Sequence, residues 1–318
     1  MHIEHWDVDA EVKKEAQENY RTKFALSLAG KDALTIVREL TFDGVAPLIT
    51  IDDLDCLLRW IEKYLLRKNF SGVGVEVGAG PLVFSSVLAR CTAVTKMYGI
   101  EICQPIVEQL FPGVARGIAQ ENTSKLVGVV GSFDDMQLPD ASVDFVFDFF
   151  SLHHSLDIEV TFREIARVLK PGGFLLMLDK ARPDSYSQDD LDALLDTRYG
   201  PEYNKQFGIP AEQVMTRRLN GEREYRRRDW WGAAYNAGIR VFESWRIEKP
   251  DSGGVIGKIK LALSILPPNI QLLLSRFIPQ RKQTHKFILD DSSRVFTRHM
   301  EHFRKEMSVM IAYKNERT

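Results

Sequence analysis

The chain has 318 residues, 44% hydrophobic and 27% charged, enough to bury a sizeable core as one large domain with additions or as two smaller ones. Its 42 lysines and arginines face 44 aspartates and glutamates for a net charge of −2, so there is no global basic field to gather nucleic acid or an anionic membrane surface. The three cysteines Cys56, Cys91 and Cys103 are odd in number and form no C-x-x-C pair, which argues for a reducing compartment, read as the cytoplasm, and against structural zinc. The N-terminus "MHIEHWDVDAEVKKEAQENY" is charged where a signal peptide is apolar, and no stretch approaches the ~20 apolar residues of a membrane span.

Residues 1–70 read as a helical N-terminal cap. Thr50 can cap a helix with Asp53 three residues on, and Leu54, Leu57, Leu58, Ile61 and Leu65 follow at helical spacing. From Val73 short apolar runs alternate with helical segments: "VGVEV", "PLVFSSVLAR", "KMYGIE", "KLVGVVG", "VDFVFDFF", "VTFREIARVLK" and "GFLLMLDK". That pace predicts βαβ units and a parallel sheet over 71–248. "DWWGAAYNAG" reads as a further helix, "IRVFESWRIE" as a strand, and "MSVMIAYK" within 306–318 as the final strand. Two insertions interrupt the pattern, 183–227 and 249–305. In the second, "GKIKLALSILPPNIQLLLSRFIP" predicts two short helices split at Pro267-Pro268, with Ile259, Leu263 and Leu266 on one apolar face and Ile270, Leu273, Leu274 and Phe277 on another. A lid over a substrate cleft suits such faces best. A dimer contact or a peripheral membrane foothold bordered by Lys258, Lys260, Arg276, Arg281 and Lys282 is the alternative.

The stretch "VGVEVGAGPLVFSSVLAR", Val73 to Arg90, is a strand, a tight glycine turn and a helix start, the usual cradle for a nucleotide. A dinucleotide fingerprint needs a third glycine, but Gly78-Ala79-Gly80 is followed by Pro81, Leu82 and Val83. Glu76, at the end of the strand and toward the ligand crevice, would repel a pyrophosphate and suits a cationic amino group.

In these residues the chain resembles the class I S-adenosylmethionine-dependent methyltransferases, whose first motif is acid-x-Gly-x-Gly. Further stations follow in order. "MYGIE" ends in Glu101, the acid that the resemblance assigns to the ribose hydroxyls, with Ile102 against the adenine. "GSFDDMQLPDASVDFVFDFFSLHH" has the spacing of the adenine loop and fourth strand, and "FREIARVLKPGGFLLMLDK" that of the helix, Pro-Gly-Gly turn and fifth strand. The resemblance covers about residues 71–182 and 228–248 and is similar to the small-molecule branch that includes quinone-biosynthesis enzymes. It implies a doubly wound, Rossmann-like α/β sheet, mostly parallel with an antiparallel last strand. It also implies S-adenosylmethionine as cofactor, held by Glu76, Gly78, Ala79, Gly80, Glu101, Ile102, Ser132, Phe133, Asp148 and Phe149, with Tyr20 folding over its methionine end. Two positions depart from the family: Leu82 stands where glycine is frequent, and Ser132 where an aspartate often meets the adenine amino group.

Methyl transfer is an in-line displacement from an activated sulfonium, so such an enzyme mainly aligns the reacting atoms. A base is needed only when the acceptor loses a proton. His153 and His154 follow the fourth strand at the carboxyl edge of the sheet, and His154 is the family-matched candidate, with His153 behind it. Where related enzymes for DNA bases or glutamine amides carry Asn-Pro-Pro-Tyr, this chain has Asp148-Phe149-Phe150-Ser151, which favours a small-molecule or lipid-like acceptor and an apolar wall. "RRLNGEREYRRRDWW" gathers Arg217, Arg218, Arg223, Arg226, Arg227 and Arg228, a potential phosphate or carboxylate site, yet Glu222, Glu224 and Asp229 among them predict a solvated, self-paired surface. His299 and His302 lie one helical turn apart with no third ligand near, so no metal site is expected. Two other functions stay open: a silent cofactor-binding scaffold and, behind it, a nicotinamide-dependent oxidoreductase.

Overall fold

A computed structural model of the chain describes residues 1–10, 12, 27–33, 35–36, 51–206, 209–248, 285–289, 294–297 and 307–315. Their frame is one sheet of ten strands. In chain order the strands are β1 (His2–His5), β2 (Gly72–Val77), β3 (Val94–Glu101), β4 (Leu126–Val130), β5 (Val143–Phe149), β6 (Leu169–Lys180), β7 (Ile239–Glu248), β8 (His285–Leu289), β9 (Arg294–Thr297) and β10 (Met307–Lys314). They lie in the order β1-β4-β3-β2-β5-β6-β10-β7-β8-β9. The six strands from β1 to β6 pair parallel, and β10, β7, β8 and β9 continue antiparallel. The mostly parallel, doubly wound α/β sheet with an antiparallel last strand is therefore as expected: β10 runs opposite to both its neighbours, β6 and β7, and β8 and β9 extend the sheet by further antiparallel pairing.

Alternation along the strands builds two apolar layers. Phe145 and Phe147 of β5 and Leu176 and Leu178 of β6 face one layer, while Val146, Leu175 and Met177 face the other. The first layer takes α1 (Ile51–Ile61), α2 (Val83–Ala89), α3 (Gln104–Gln109) and α4 (Phe111–Ile118). The leucine stripe Leu54, Leu57, Leu58 and Ile61 of α1 is buried there as its spacing predicts. The second layer takes α5 (Ile158–Val168) and α8 (Arg227–Asn236), whose Trp230 is buried and donates its indole N–H to the Lys180 carbonyl at 3.1 Å. Between β6 and α8 the insertion folds as α6 (Gln188–Leu195) and α7 (Pro201–Gln206) with irregular connections.

Two expectations need correction. Residues 2–5, read as part of a helical cap, form the edge strand β1 against β4, and four residues are too few for a helical or strand period to be seen. The insertion 249–305 was read as helical, yet 285–289 and 294–297 are paired strands that extend the sheet beyond β7. The two helices expected within 257–279, Tyr20, and His299 and His302 lie outside the described residues.

The topology itself marks a site. From β2 the chain moves outward to β3 and β4 on one side and then returns to β5 on the other, so the connections after β2 and β5 diverge at adjacent strands. Ligands of open α/β sheets bind at the carboxyl ends of strands at such a switch point. Glu76, Glu101, Asp148 and Asp179 all stand at or near the carboxyl ends of β2, β3, β5 and β6.

Candidate functional site

The turn after β2 is built from backbone that bends where side chains are costly. Gly78 has φ 59°, Gly80 φ 49° and Leu82 φ 69°, all in the left-handed region. The two glycines serve different ends. A Cβ on Gly78 would lie 2.3 Å from the Ser151 Cβ, so this glycine lets the β2 and β5 loops touch. Ser151 closes that contact by donating its hydroxyl to the Val77 carbonyl at 2.7 Å. A Cβ on Gly80 would meet nothing within 4 Å, so its bare backbone borders open space. Leu82, where a glycine is frequent in the family, keeps the left-handed turn and is fully buried, its Cδ1 filling the space over Gly99 where a Cβ would come to 2.1 Å.

Glu101 ties this turn to the end of β3. Its Oε2 accepts from the Gly80 N–H at 3.1 Å and its Oε1 from the Cys103 N–H at 3.0 Å. Burial raises its pKa, against the pull of those two N–H groups. Glu76 is placed otherwise than the sequence suggests. Instead of standing open to the crevice it is 3% exposed and accepts from both the backbone N–H and the hydroxyl of Ser85, at 2.7 and 2.5 Å. Burial pushes its pKa up to about 7, opposed by the Ser85 bonds and helped by the nearby Glu101 charge. Ala79 is buried at the turn and Ile102 is half-buried beside the β3 end. Phe133 approaches Gly78, its ring edge 3.7 Å from where a Cβ would stand. The Ser132 hydroxyl accepts from the Asp134 N–H at 3.1 Å, a local bond that shapes the loop after β4.

On the far side, Asp148 is fully buried. Its Oδ1 accepts from the Ser151 N–H and the Leu152 N–H, while Oδ2 has no partner. Burial and then the neighbouring Asp179 charge raise its pKa well above its ordinary value. Phe149 packs on Phe84 of α2 with ring centroids 4.4 Å apart and planes tilted by 39°, an apolar wall as expected. Phe150 follows at φ 59° and meets His153 edge-on at 4.8 Å.

The two histidines differ in access. His153 is 0% exposed, with Nδ1 2.7 Å from Asp179 Oδ1. Its Nε2 stands 3.3 Å from Glu222 Oε2 but outside hydrogen-bond geometry, and no other partner reaches it. His154 is half-buried, with Nδ1 2.8 Å from the Gly221 carbonyl, and its ring lies 4.2 Å from that of His153. His154 is thus partly accessible, while His153 is enclosed.

The arginine-rich segment is self-paired, as its acids predict, but its inner part is not solvated. Glu222, Glu224 and Arg226 are buried, and Glu222 and Glu224 meet Lys180 at the end of β6. Arg182 and Arg217 bind Glu224 at 2.6 and 2.5 Å. Burial would raise the Glu224 carboxyl, but Arg182, Lys180 and Arg217 together hold it below the usual range. Asp179, Lys180 and Glu222 went unnoticed in the sequence as site residues; the available signal was the polar "DK" that ends an otherwise apolar strand run.

A family model described as a methyltransferase domain matches residues 75–177. The uncharacterised methyltransferase YcgJ of Bacillus subtilis is 27% identical over 167 residues, 52% of this chain and 60% of that protein. The ubiquinone/menaquinone biosynthesis C-methyltransferase UbiE of Rubrivivax gelatinosus is 38% identical over 84 residues, 26% of this chain and 32% of that protein. The chain thus spans less than two thirds of these relatives. The crystal structure of YcgJ superposes with a TM-score of 0.45 at 17% identity, covering 84% of this chain and all of that one. No helix among the described residues is long and apolar enough to cross a membrane.

Proposed function

We propose that this chain, whose residues 75–177 match a methyltransferase domain, is a class I S-adenosylmethionine-dependent methyltransferase that transfers a methyl group from S-adenosylmethionine to a small-molecule or lipid-like acceptor. The observation that carries this reading is Glu101, a carboxylate at the switch point braced by the Gly80 and Cys103 N–H groups beside a glycine with open space over it. The residues present fit the cofactor. Two oxygens at the end of β3 suit paired ribose hydroxyls, and the backbone at Gly80 can be approached as no residue with a Cβ allows. Ile102 and Phe133 supply apolar surface for the adenine, and Phe149 the wall of the reaction cleft. When bound, S-adenosylmethionine supplies an electrophilic methyl on sulfur, already activated for displacement.

The chain's own residues then orient and enclose. Glu76 sets the first turn of α2 through Ser85, and Ser151 locks the β5 loop to β2, so the two walls of the crevice are fixed to each other. His154 lies on the acceptor side, its ring oriented by the Gly221 carbonyl, where it can accept a proton from an acceptor that must lose one. His153, enclosed, positions His154 through ring contact and the Asp179 bond. The likeness to UbiE, a C-methyltransferase of ubiquinone/menaquinone biosynthesis, supports a quinone-like or other apolar acceptor. Incubation of the protein with methyl-labelled S-adenosylmethionine and a small-molecule and lipid extract tests this. Transfer of label to a low-mass product is expected. Binding without any transfer would favour the silent scaffold.

A further inference from the structure

The two histidines of the acceptor side stand together with a third potential ligand, Glu222. His153, His154 and Glu222 each bring one ligand atom to a common point, and these atoms lie within 4.8 Å of one another. Both rings are oriented from behind. His153 Nδ1 faces Asp179 Oδ1, and this carboxylate also accepts the backbone N–H groups of His153 and Lys180. His154 Nδ1 faces the Gly221 carbonyl. A carbonyl oxygen can only accept, so Nδ1 of His154 carries a proton and the lone pair of its neutral ring sits on Nε2. The Asp179 carboxylate imposes the same tautomer on His153.

The Nε2 of His153 is buried and makes no hydrogen bond, 3.3 Å from a carboxylate oxygen of Glu222. The same carboxylate oxygen also accepts from the Lys180 ammonium and lies 3.8 Å from the Arg217 guanidinium. An imidazole whose one nitrogen donates to a carboxylate or carbonyl while the other is aimed at a further anionic ligand is the arrangement that metal-bound histidines show.

We propose that His153, His154 and Glu222 bind one divalent transition-metal ion. Two imidazoles and a carboxylate form a borderline donor set suited to zinc and its neighbours rather than to calcium or magnesium. Ligand bonds of about 2.0–2.2 Å require the three groups to close inward. Lys180 shares Glu222 and is also 3.3 Å from Glu224, so its ammonium transfers to Glu224 as the ion takes Glu222. Three protein ligands leave coordination positions for an oxygen or nitrogen of the acceptor. That last step rests on the methyl-transfer reading; binding of the ion does not. With the ion bound, His154 is a ligand, so its proton-accepting role belongs to the metal-free protein.

The test uses the full chain stripped with a chelator and dialysed. Zinc is titrated by calorimetry, and cobalt by the visible absorption that a low-coordinate nitrogen and oxygen site gives. One equivalent is expected with each ion. His154→Ala, at a half-buried position, and Glu222→Gln, which keeps the size and one accepting oxygen, are expected to weaken binding by ~10-fold or more. Circular dichroism of each variant shows whether it is folded, and if one is not, the other decides. No stoichiometric uptake by the parent, or parent-like affinity in a folded variant, would overturn the site. Titration of the same metal-free sample with S-adenosylmethionine reads the cofactor cradle separately, so failure of one proposal is not mistaken for failure of the other.

Discussion

Glu101→Ala removes the carboxylate on which the cofactor reading turns, and the structure sets the size of two separate effects. In the free protein the side chain accepts from the Gly80 and Cys103 N–H groups at 3.1 and 3.0 Å. Hydrogen bonds to a charged group are worth ~1.5–3 kcal/mol each, but these two hold oxygens that the ribose hydroxyls must share, so the loss on cofactor binding is set at ~2–3 kcal/mol. That corresponds to a dissociation constant raised about 30- to 150-fold. Without ligand, the two N–H groups are left to find water, and folding stability falls by ~1–3 kcal/mol. Glu101→Gln keeps one accepting oxygen, so it should lie between parent and alanine in both respects. Calorimetric titration with S-adenosylhomocysteine reads the first effect, and urea unfolding of the ligand-free protein the second. An alanine variant that loses stability yet binds as tightly as the parent would refute the ribose assignment and leave Glu101 as a brace of the turn alone.

The two glycines of the turn should separate in the same assays. Gly78→Ala, whose Cβ would lie 2.3 Å from Ser151 Cβ, is expected to lower stability by ~2 kcal/mol or more. Gly80→Ala, with open space but φ 49°, should lose only ~1 kcal/mol of stability while its ligand affinity drops at least ~10-fold. Equal behaviour of the two would reject the division of roles. Leu82→Gly relieves a left-handed φ of 69° but empties a fully buried site, for a net loss of ~2 kcal/mol by urea unfolding. Adding Gly99→Ala should recover part of it, because Leu82 Cδ1 is the atom that excludes that Cβ; simple additivity would contradict the packing. Glu76 titrates near 7 when folded against 4.5 as its ordinary value. The folded state therefore holds a proton the unfolded state has lost between those values. This contribution is fully present below pH 4.5 and is lost as pH rises through 7, roughly 3 kcal/mol in all. Glu76→Gln should flatten that part of the stability profile, and an unchanged slope would place the titration elsewhere.

Much of the frame was legible because burial on both faces makes parallel strands read as unbroken apolar runs, and β2 through β6 do so between turn residues. The stripe of α1 was equally plain, since 3.6-residue spacing leaves few alternatives. β1, β8 and β9 were missed for the opposite reason: four or five residues at a sheet edge carry no period, and their pairing comes from the neighbour strand. At the site, the glycine turn and Glu101 could be placed from order and spacing. What spacing could not show was orientation. Glu76 occupies the expected station, but Ser85 nine residues on claims its carboxylate. The His153 environment was the least legible. Asp179 is 26 residues from it, and Glu222 lies in a segment whose mixed charges resemble a solvated surface until β6 and the insertion enclose them.

The claim that the switch-point crevice is an S-adenosylmethionine site is tested most directly by calorimetric titration of the parent chain with S-adenosylmethionine and, in parallel, with NADH. One-to-one binding of the first in the micromolar range, with no heat from the second, is the predicted result. Saturable binding of NADH, or no binding of S-adenosylmethionine to the folded protein, would contradict it.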